Sequence, residues 1–223
     1  GQTMIERVYR RAERANSVDS VLVATDDSRI ADVVSKFGGN VCLTRSDHLS
    51  GSDRLAEVAE SLTCDIIINV QGDEPLLNPL LIDAVLGRLL IDPSAPIATA
   101  RCAITDQSEF NNPNVVKVVV NSAEDALYFS RSPIPHQQEE ATRSNNIFGF
   151  KHIGLYAYRR SILLELGKLS PTTLEQTERL EQLRALQHGY RITTVETDEN
   201  PIGVDTAEDL DEVRRLVLTG VNE

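Results

Sequence analysis

The run Ile66-Ile67-Ile68-Asn69-Val70-Gln71-Gly72-Asp73-Glu74-Pro75 decides the fold. A short, continuous series of β-branched apolar residues is what a strand covered on both faces requires. It stops abruptly where Gly72 permits a sharp turn and Pro75 forbids further pairing. Helical spacing follows from about Pro79 to Leu90, then a strand near Pro96 to Ala103. Upstream the same alternation holds. Met4 to Ala15 is helical, Val21 to Thr25 reads as a buried strand, and Asp26-Asp27-Ser28 offers a cap for a helix that stops at Gly38-Gly39. Val41 to Thr44 is a further strand, and a polar turn at Ser46 to Asp53 leads into a helix through Leu62. Alternating strands and helices predict an α/β domain with a mostly parallel, doubly wound sheet. Ligands of such sheets bind outside the carboxyl ends of the strands, which places Asp26-Asp27 and Gln71 to Pro75 there.

Beyond Ala103 the pattern changes. Strand-like segments at Val115 to Val120, Ala126 to Phe129 and His152 to Tyr158 are separated by a long polar stretch, Gln137 to Asn146. Thr173 to His188 reads as one helix, Arg191 to Val195 as a strand and Ala207 to Leu218 as the last helix. We read residues 1–223 as a single domain with an inserted flap at about 105–160.

With 223 residues and 41% hydrophobic content, the chain can build one ordinary core. Its 34 acidic and 22 basic residues give a net charge of −12, which disfavours nucleic acid as the main partner. No apolar run approaches the roughly 20 residues that span a bilayer, and no membrane partner is expected. Nothing at the start reads as a secretory signal, so the expected location is cytoplasmic. Cys42, Cys64 and Cys102 lack metal or redox spacing and read as buried small side chains.

Asp73 and Asp205 are the first candidates for chemistry. Two carboxylates completed by substrate phosphates and water suit Mg²⁺. For Asp205 the competing reading is helix capping, by itself or by Thr206 with Asp209; for Asp73 and Glu74 it is a solvated turn. Asp26-Asp27 could form an acidic pocket of the receiver-domain kind, against the simpler reading as a cap. Glycine-rich phosphate loops of the P-loop and dinucleotide kinds are absent, as is a nucleophile elbow. Of the four His residues, His152 stands out because Tyr156 lies on the same face of the same strand.

Taken in order, these segments resemble the 3-deoxy-manno-octulosonate (Kdo) cytidylyltransferases. The resemblance is carried by Val23 to Asp27, Thr44 to His48, Ser50 to Leu55, Asn69 to Pro75, Asn112 to Val118, Ala126 to Arg131, His152 to Tyr156, Leu180 to Arg184 and Gly203 to Leu210. It implies a nucleotidyltransferase-like (Rossmann-like) fold, with the flap serving the sugar site and dimerisation. It also implies transfer of CMP from CTP to Kdo with release of pyrophosphate, for lipopolysaccharide synthesis. Mg²⁺ would be held by Asp73 and Asp205, which gives Asp205 a role beyond capping. Arg45, Ser50, Gly51, Arg54 and Gln71 match the nucleotide side. His152, Tyr156, Glu181 and Gln182 match the sugar side, with Arg131 for the sugar carboxylate. A homodimer with its contact in Val115 to Tyr158 is implied as well.

One departure is evident. Family members begin with a strand and an Arg-, Ser- and Lys-bearing loop, and Gly1 to Ile5 matches only the tail of that loop. The chain is therefore expected to be N-terminally incomplete, one strand and one phosphate loop short. Two other activities stay open at this stage: transfer to the 8-amino analogue of Kdo or to sialic acid, and non-catalytic binding of nucleotide or sugar.

Overall fold

The computed structural model describes residues 1–48, 50–138 and 147–219. The first half alternates: α1 (Met4–Glu13), β1 (Val23–Thr25), α2 (Ser28–Lys36), β2 (Val41–Leu43), α3 (Gly51–Ser61), β3 (Ile66–Asn69), α4 (Pro79–Ile91) and β4 (Ile97–Ile104). The second half contains α5 (Gln107–Asn111), β5 (Lys117–Val120), β6 (Ala126–Ser130), β7 (Gly149–Arg159) and α6 (Arg160–Leu166). It closes with α7 (Thr173–Glu178), α8 (Gln182–Gln187), β8 (Ile192–Thr197) and α9 (Ala207–Leu218). Among the described residues no helix is long and apolar enough to cross a membrane.

The α/β class holds, and its sheet is mixed. β1 and β2 pair in parallel as a sheet of their own. In the six-stranded sheet β3, β4 and β8 run the same way, as helical crossovers dictate, while β7 is inserted antiparallel between β3 and β4. The hairpin β5–β6 joins through β5, which is also antiparallel to β7. One edge of β7 is thus shared: β3 takes Tyr156 to Arg159 and β5 takes Phe150 and Lys151. The sheet forks between them, at 152–155.

Alternation along the strands separates two cores. Ala98, Ala100 and Cys102 of β4, with Ile153, Leu155 and Ala157 of β7, pack against Leu81, Ile82, Val85 and Leu89 of α4. The opposite face carries Ile97, Tyr156 and Tyr158 against Ala59 of α3, Leu163 of α6 and Leu183 of α8. Small residues on the first face let α4 lie close to the sheet. Asn78 caps α4 and Pro79 occupies its first turn, where a missing N–H costs nothing. Between Thr99 and Ala100 the register on β7 jumps from Tyr156 to Ile153, leaving two unpaired residues, Gly154 and Leu155, on β7.

Several expectations change. Thr173 to His188 is two helices, because Arg179 adopts a left-handed conformation (φ 54°) that ends α7 and turns Leu180 into the core. The short helices α5 and α6 were not anticipated, since neither is long enough to show a full apolar period. Cys102 is buried, but Cys42 is half-buried and Cys64 exposed. Of the polar stretch Gln137 to Asn146, residues 139–146 lie outside the described residues.

The helices α3 and α6 meet at Gly167, where a Cβ would sit 2.6 Å from the Cβ of Ala56. Both partners are too short to swing aside, so the helices themselves would have to separate. Gly167→Ala is expected to destabilise the fold by about 1–3 kcal/mol, read as a lower urea midpoint with an unchanged slope.

Candidate active site

The fork in the sheet is where the turn after β3 arrives. A Cβ on Gly154 would lie 3.5 Å from Cγ of Gln71 and 4.0 Å from Oε1 of Glu74, so the bulged β7 edge is lined directly by this turn. The Val204 N–H donates to the Asp73 carbonyl at 2.9 Å and draws the segment before α9 onto the same turn. Asp73 and Asp205, 132 positions apart by number, thereby become neighbours. Burial pushes the Asp73 carboxyl above its ordinary range, and the charge of Asp205 pushes it the same way. The cap of α9 is Thr206, in a reciprocal capping box with Asp209. The Asp205 carboxylate is therefore not needed as a cap.

This pair is chemically suited to a hard cation. A half-buried carboxylate facing the charge of a second one is relieved by a divalent ion, and Mg²⁺ commonly takes only one or two protein carboxylates. Among the described residues no group of three or more His, Cys, Asp or Glu side chains is arranged for a metal. Substrate phosphates and water are the ligands that suit the rest of a Mg²⁺ shell.

For Glu74 the competing reading, a solvated turn, does not hold. Its Oε2 is buried without a hydrogen-bond partner. Burial first, then the charge of Asp73, pushes its carboxyl up to about 7, against a smaller opposing effect of Lys151. The signal that could have found it is the buried run Pro75-Leu76-Leu77 that follows immediately.

On the other side of the fork lie His152 and Tyr156. The two extra residues of the bulge keep both on one face, with their rings 5.2 Å apart. The Phe129 ring meets the His152 ring edge-on at 5.0 Å, and Tyr156 stacks on Tyr158 at 5.6 Å. His152 Nε2 lies 3.1 Å from the Thr99 hydroxyl, which also reaches the Leu155 carbonyl at 2.8 Å. Burial pushes the imidazole down to about 3, so His152 is neutral at physiological pH. The buried Tyr156 hydroxyl has no hydrogen-bond partner. Ser52, Tyr156, Tyr158, Glu181, Gln182 and Arg184 line a small cavity beside it.

The remaining expected residues divide. Ser50 caps α3, accepting from the Asp53 N–H at 3.1 Å. Arg54 pairs with Asp26 at 3.1 Å and donates to the Thr44 hydroxyl. Arg45 is exposed beside Asp47 and Glu57, and Gln71 is exposed at the mouth of the fork. Glu181 does not stand free. Its carboxylate accepts from the Gly51 and Ser52 N–H groups at 3.1 and 3.2 Å and from the Ser52 hydroxyl at 2.8 Å. Arg131 is turned to backbone: its guanidinium donates to the carbonyls of Glu178, Pro113 and Arg179. Asp27 caps α2 and pairs with Arg29, which leaves little of an acidic receiver pocket.

Comparison with known proteins fits this geometry. The model of the cytidylyltransferase family matches residues 1–192. The 3-deoxy-manno-octulosonate cytidylyltransferase of Syntrophotalea carbinolica is 52% identical over 215 residues, covering 94% of this chain and 86% of the relative. That of Pelobacter propionicus is 51% identical over 221 residues, covering 96% and 87%. The chain belongs to the 3-deoxy-manno-octulosonate cytidylyltransferase family. A solved structure of CMP:2-keto-3-deoxy-manno-octonic acid synthetase complexed with CTP superposes with a TM-score of 0.91 at 44% identity, covering 97% of this chain and 88% of that one. The 4-diphosphocytidyl-2C-methyl-D-erythritol synthase of Anaerococcus prevotii shares the fold at a TM-score of 0.63 and 12% identity, over 98% of this chain and 87% of that one. The chain is thus a nucleotidyltransferase of this family.

The buried Glu74 gives a pH signature. Its folded pKa, about 7, lies above the ordinary 4.5, so its contribution to stability is full below about pH 4.5. That contribution, about 3 kcal/mol, is lost as pH rises through 7. In chelator, Glu74→Gln is expected to flatten the decline of urea stability over that window and to exceed the native protein at pH 8. Equal pH dependence of the two proteins would contradict the burial.

Proposed function

We propose that the chain transfers CMP from CTP to Kdo, giving CMP-Kdo and pyrophosphate, with Mg²⁺ held between Asp73 and Asp205. The observation that carries this reading is the pinned Asp73–Asp205 pair, set at the carboxyl end of β3 beside the His152–Tyr156 face. The relatives' names and the CTP-bound neighbour support the substrates.

The reaction joins a sugar hydroxyl to the α-phosphorus of CTP and expels pyrophosphate. It needs little covalent help from protein and much alignment. A bound Mg²⁺ would supply Lewis acidity, stabilising charge on phosphate oxygens and lowering the pKa of the attacking hydroxyl. The chain's own residues do the remainder. Asp73 and Asp205 approach the reacting centre from two separate segments. Gln71, at the mouth, offers both a donor and an acceptor to a cytosine edge. Arg45 and the Ser50 to Arg54 turn flank the same side. His152, neutral and hydrogen-bonded to Thr99, together with Tyr156 and Gln182, presents a mixed aromatic and polar wall suited to a polyhydroxylated acid. Because the Arg131 guanidinium is already held by three carbonyls, we assign the sugar carboxylate to it only if those contacts exchange on binding. A cytoplasmic homodimer formed through the β5–β7 half completes the proposal.

The test is coupled pyrophosphate release from CTP, Kdo and Mg²⁺, with chelator abolishing turnover. Absence of release with Kdo but release with its 8-amino analogue would move the substrate assignment without moving the reaction. Asp73→Asn is expected to lower kcat by at least a hundredfold, since it removes one charge from a two-carboxylate site. Full turnover by that variant would remove the metal assignment.

A further inference from the structure

Glu181, the residue before α8, and Arg184 within it lie in the segment matched to the sugar side, yet both close on the first turn of α3, which carries residues matched to the nucleotide side. Glu181 satisfies the first two N–H groups of α3, at Gly51 and Ser52, where a carboxylate also complements the helix dipole. Arg184, buried, donates to Asp53 Oδ1 at 2.9 Å from one nitrogen. With its other two it grips the Glu175 carboxylate in a bidentate pair at 2.9 and 2.6 Å. Three consecutive residues of α3 are therefore held from α8, while Glu175 ties α8 back to α7.

The next residue continues the chain of contacts. Arg54 reaches Asp26, just past the end of β1, and Thr44, just past the end of β2. The β1–β2 pair shares no ladder with the six-stranded sheet, so its register against that sheet is not set by strand pairing. Elsewhere it is fixed through Asp83, which holds Asn16 and Ser17 at the far approach to β1. Past the ends of β1 and β2, α3 is joined to them at two levels: Arg54 of its first turn, held in line by the contacts from α8, reaches Asp26 and Thr44, and Glu57 one turn on accepts from the Arg45 N–H and meets His48.

We infer that Glu181 and Arg184 are positioning residues for the nucleotide half of the site: together they clamp the first turn of α3 and, through Arg54, set the ends of β1 and β2 where CTP binds. This rests on the functional reading above for the identity of the nucleotide, and it separates from that reading in its consequence. A residue matched to the sugar side alters nucleotide binding even when no sugar is present.

The experiment titrates CTP with Mg²⁺ in the absence of sugar, on the native chain and on Glu181→Ala and Asp53→Ala. Each variant removes one arm of the clamp and leaves the Arg184–Glu175 pair in place. We expect CTP affinity to fall at least tenfold in each, the KM for CTP to rise correspondingly in turnover, and amide exchange at residues 51–54 to quicken. CTP affinity within twofold of the native value, or unchanged exchange at 51–54, overturns the inference. Native protein that binds no CTP overturns the functional reading instead; exchange at 51–54 then decides the clamp by itself.

Discussion

The architecture depends on a division of one hydrogen-bonding edge. β7 offers eleven residues of backbone, and β3 and β5 each take part of the same side of it. Between them they leave the interval 152–155 on that edge without a strand partner, and backbone groups exposed there must find other partners. The His152 N–H finds the Val116 carbonyl at 2.8 Å. The turn carrying Asp73 and Glu74 fills the rest of the opening. The candidate site lies where two strands divide one edge between them.

Charge is handled accordingly. On the proposed reading, a chain with net charge −12 must gather anionic substrates, and it places carboxylates of its own at the centre of the candidate site. Burial raises Asp73 and Glu74, with the charge of Asp205 adding to the first and that of Asp73 to the second, so their local negative charge is costly without a cation. Three buried cations elsewhere are committed to structure. Arg101 is buried between Glu124 and Glu196, Lys117 donates to the carbonyls of Asn112, Val115 and Arg131, and Arg184 is held by two acids.

How much of this was legible in sequence varies with the range of the interaction. Asp73 could be read because a buried strand, a glycine and a proline mark its turn within ten residues. The capping box at Thr206 and Asp209 was equally local. The burial of Glu74 is not legible, because a Gly-Asp-Glu-Pro turn has the composition of a solvated one and only the packing of Leu76 and Leu77 reveals it. The Arg184–Asp53 contact joins residues 131 positions apart, and nothing in either neighbourhood announces it. The left-handed Arg179 hides inside a sequence whose leucines repeat with good helical spacing on both sides.

The bulge in β7 has a consequence for how this chain can vary. Side chains on a strand alternate with a period of two, and the bulge adds two residues opposite the Thr99–Ala100 step. Parity is preserved, so His152 and Tyr156 look into the same side of the sheet. Loss or gain of a single residue there would turn the N-terminal half of the strand over, sending the imidazole into the aliphatic layer under α4 and Ile153 into the site. Length changes in this stretch are therefore tolerable only in pairs, and the segment behaves as a counter that admits even numbers.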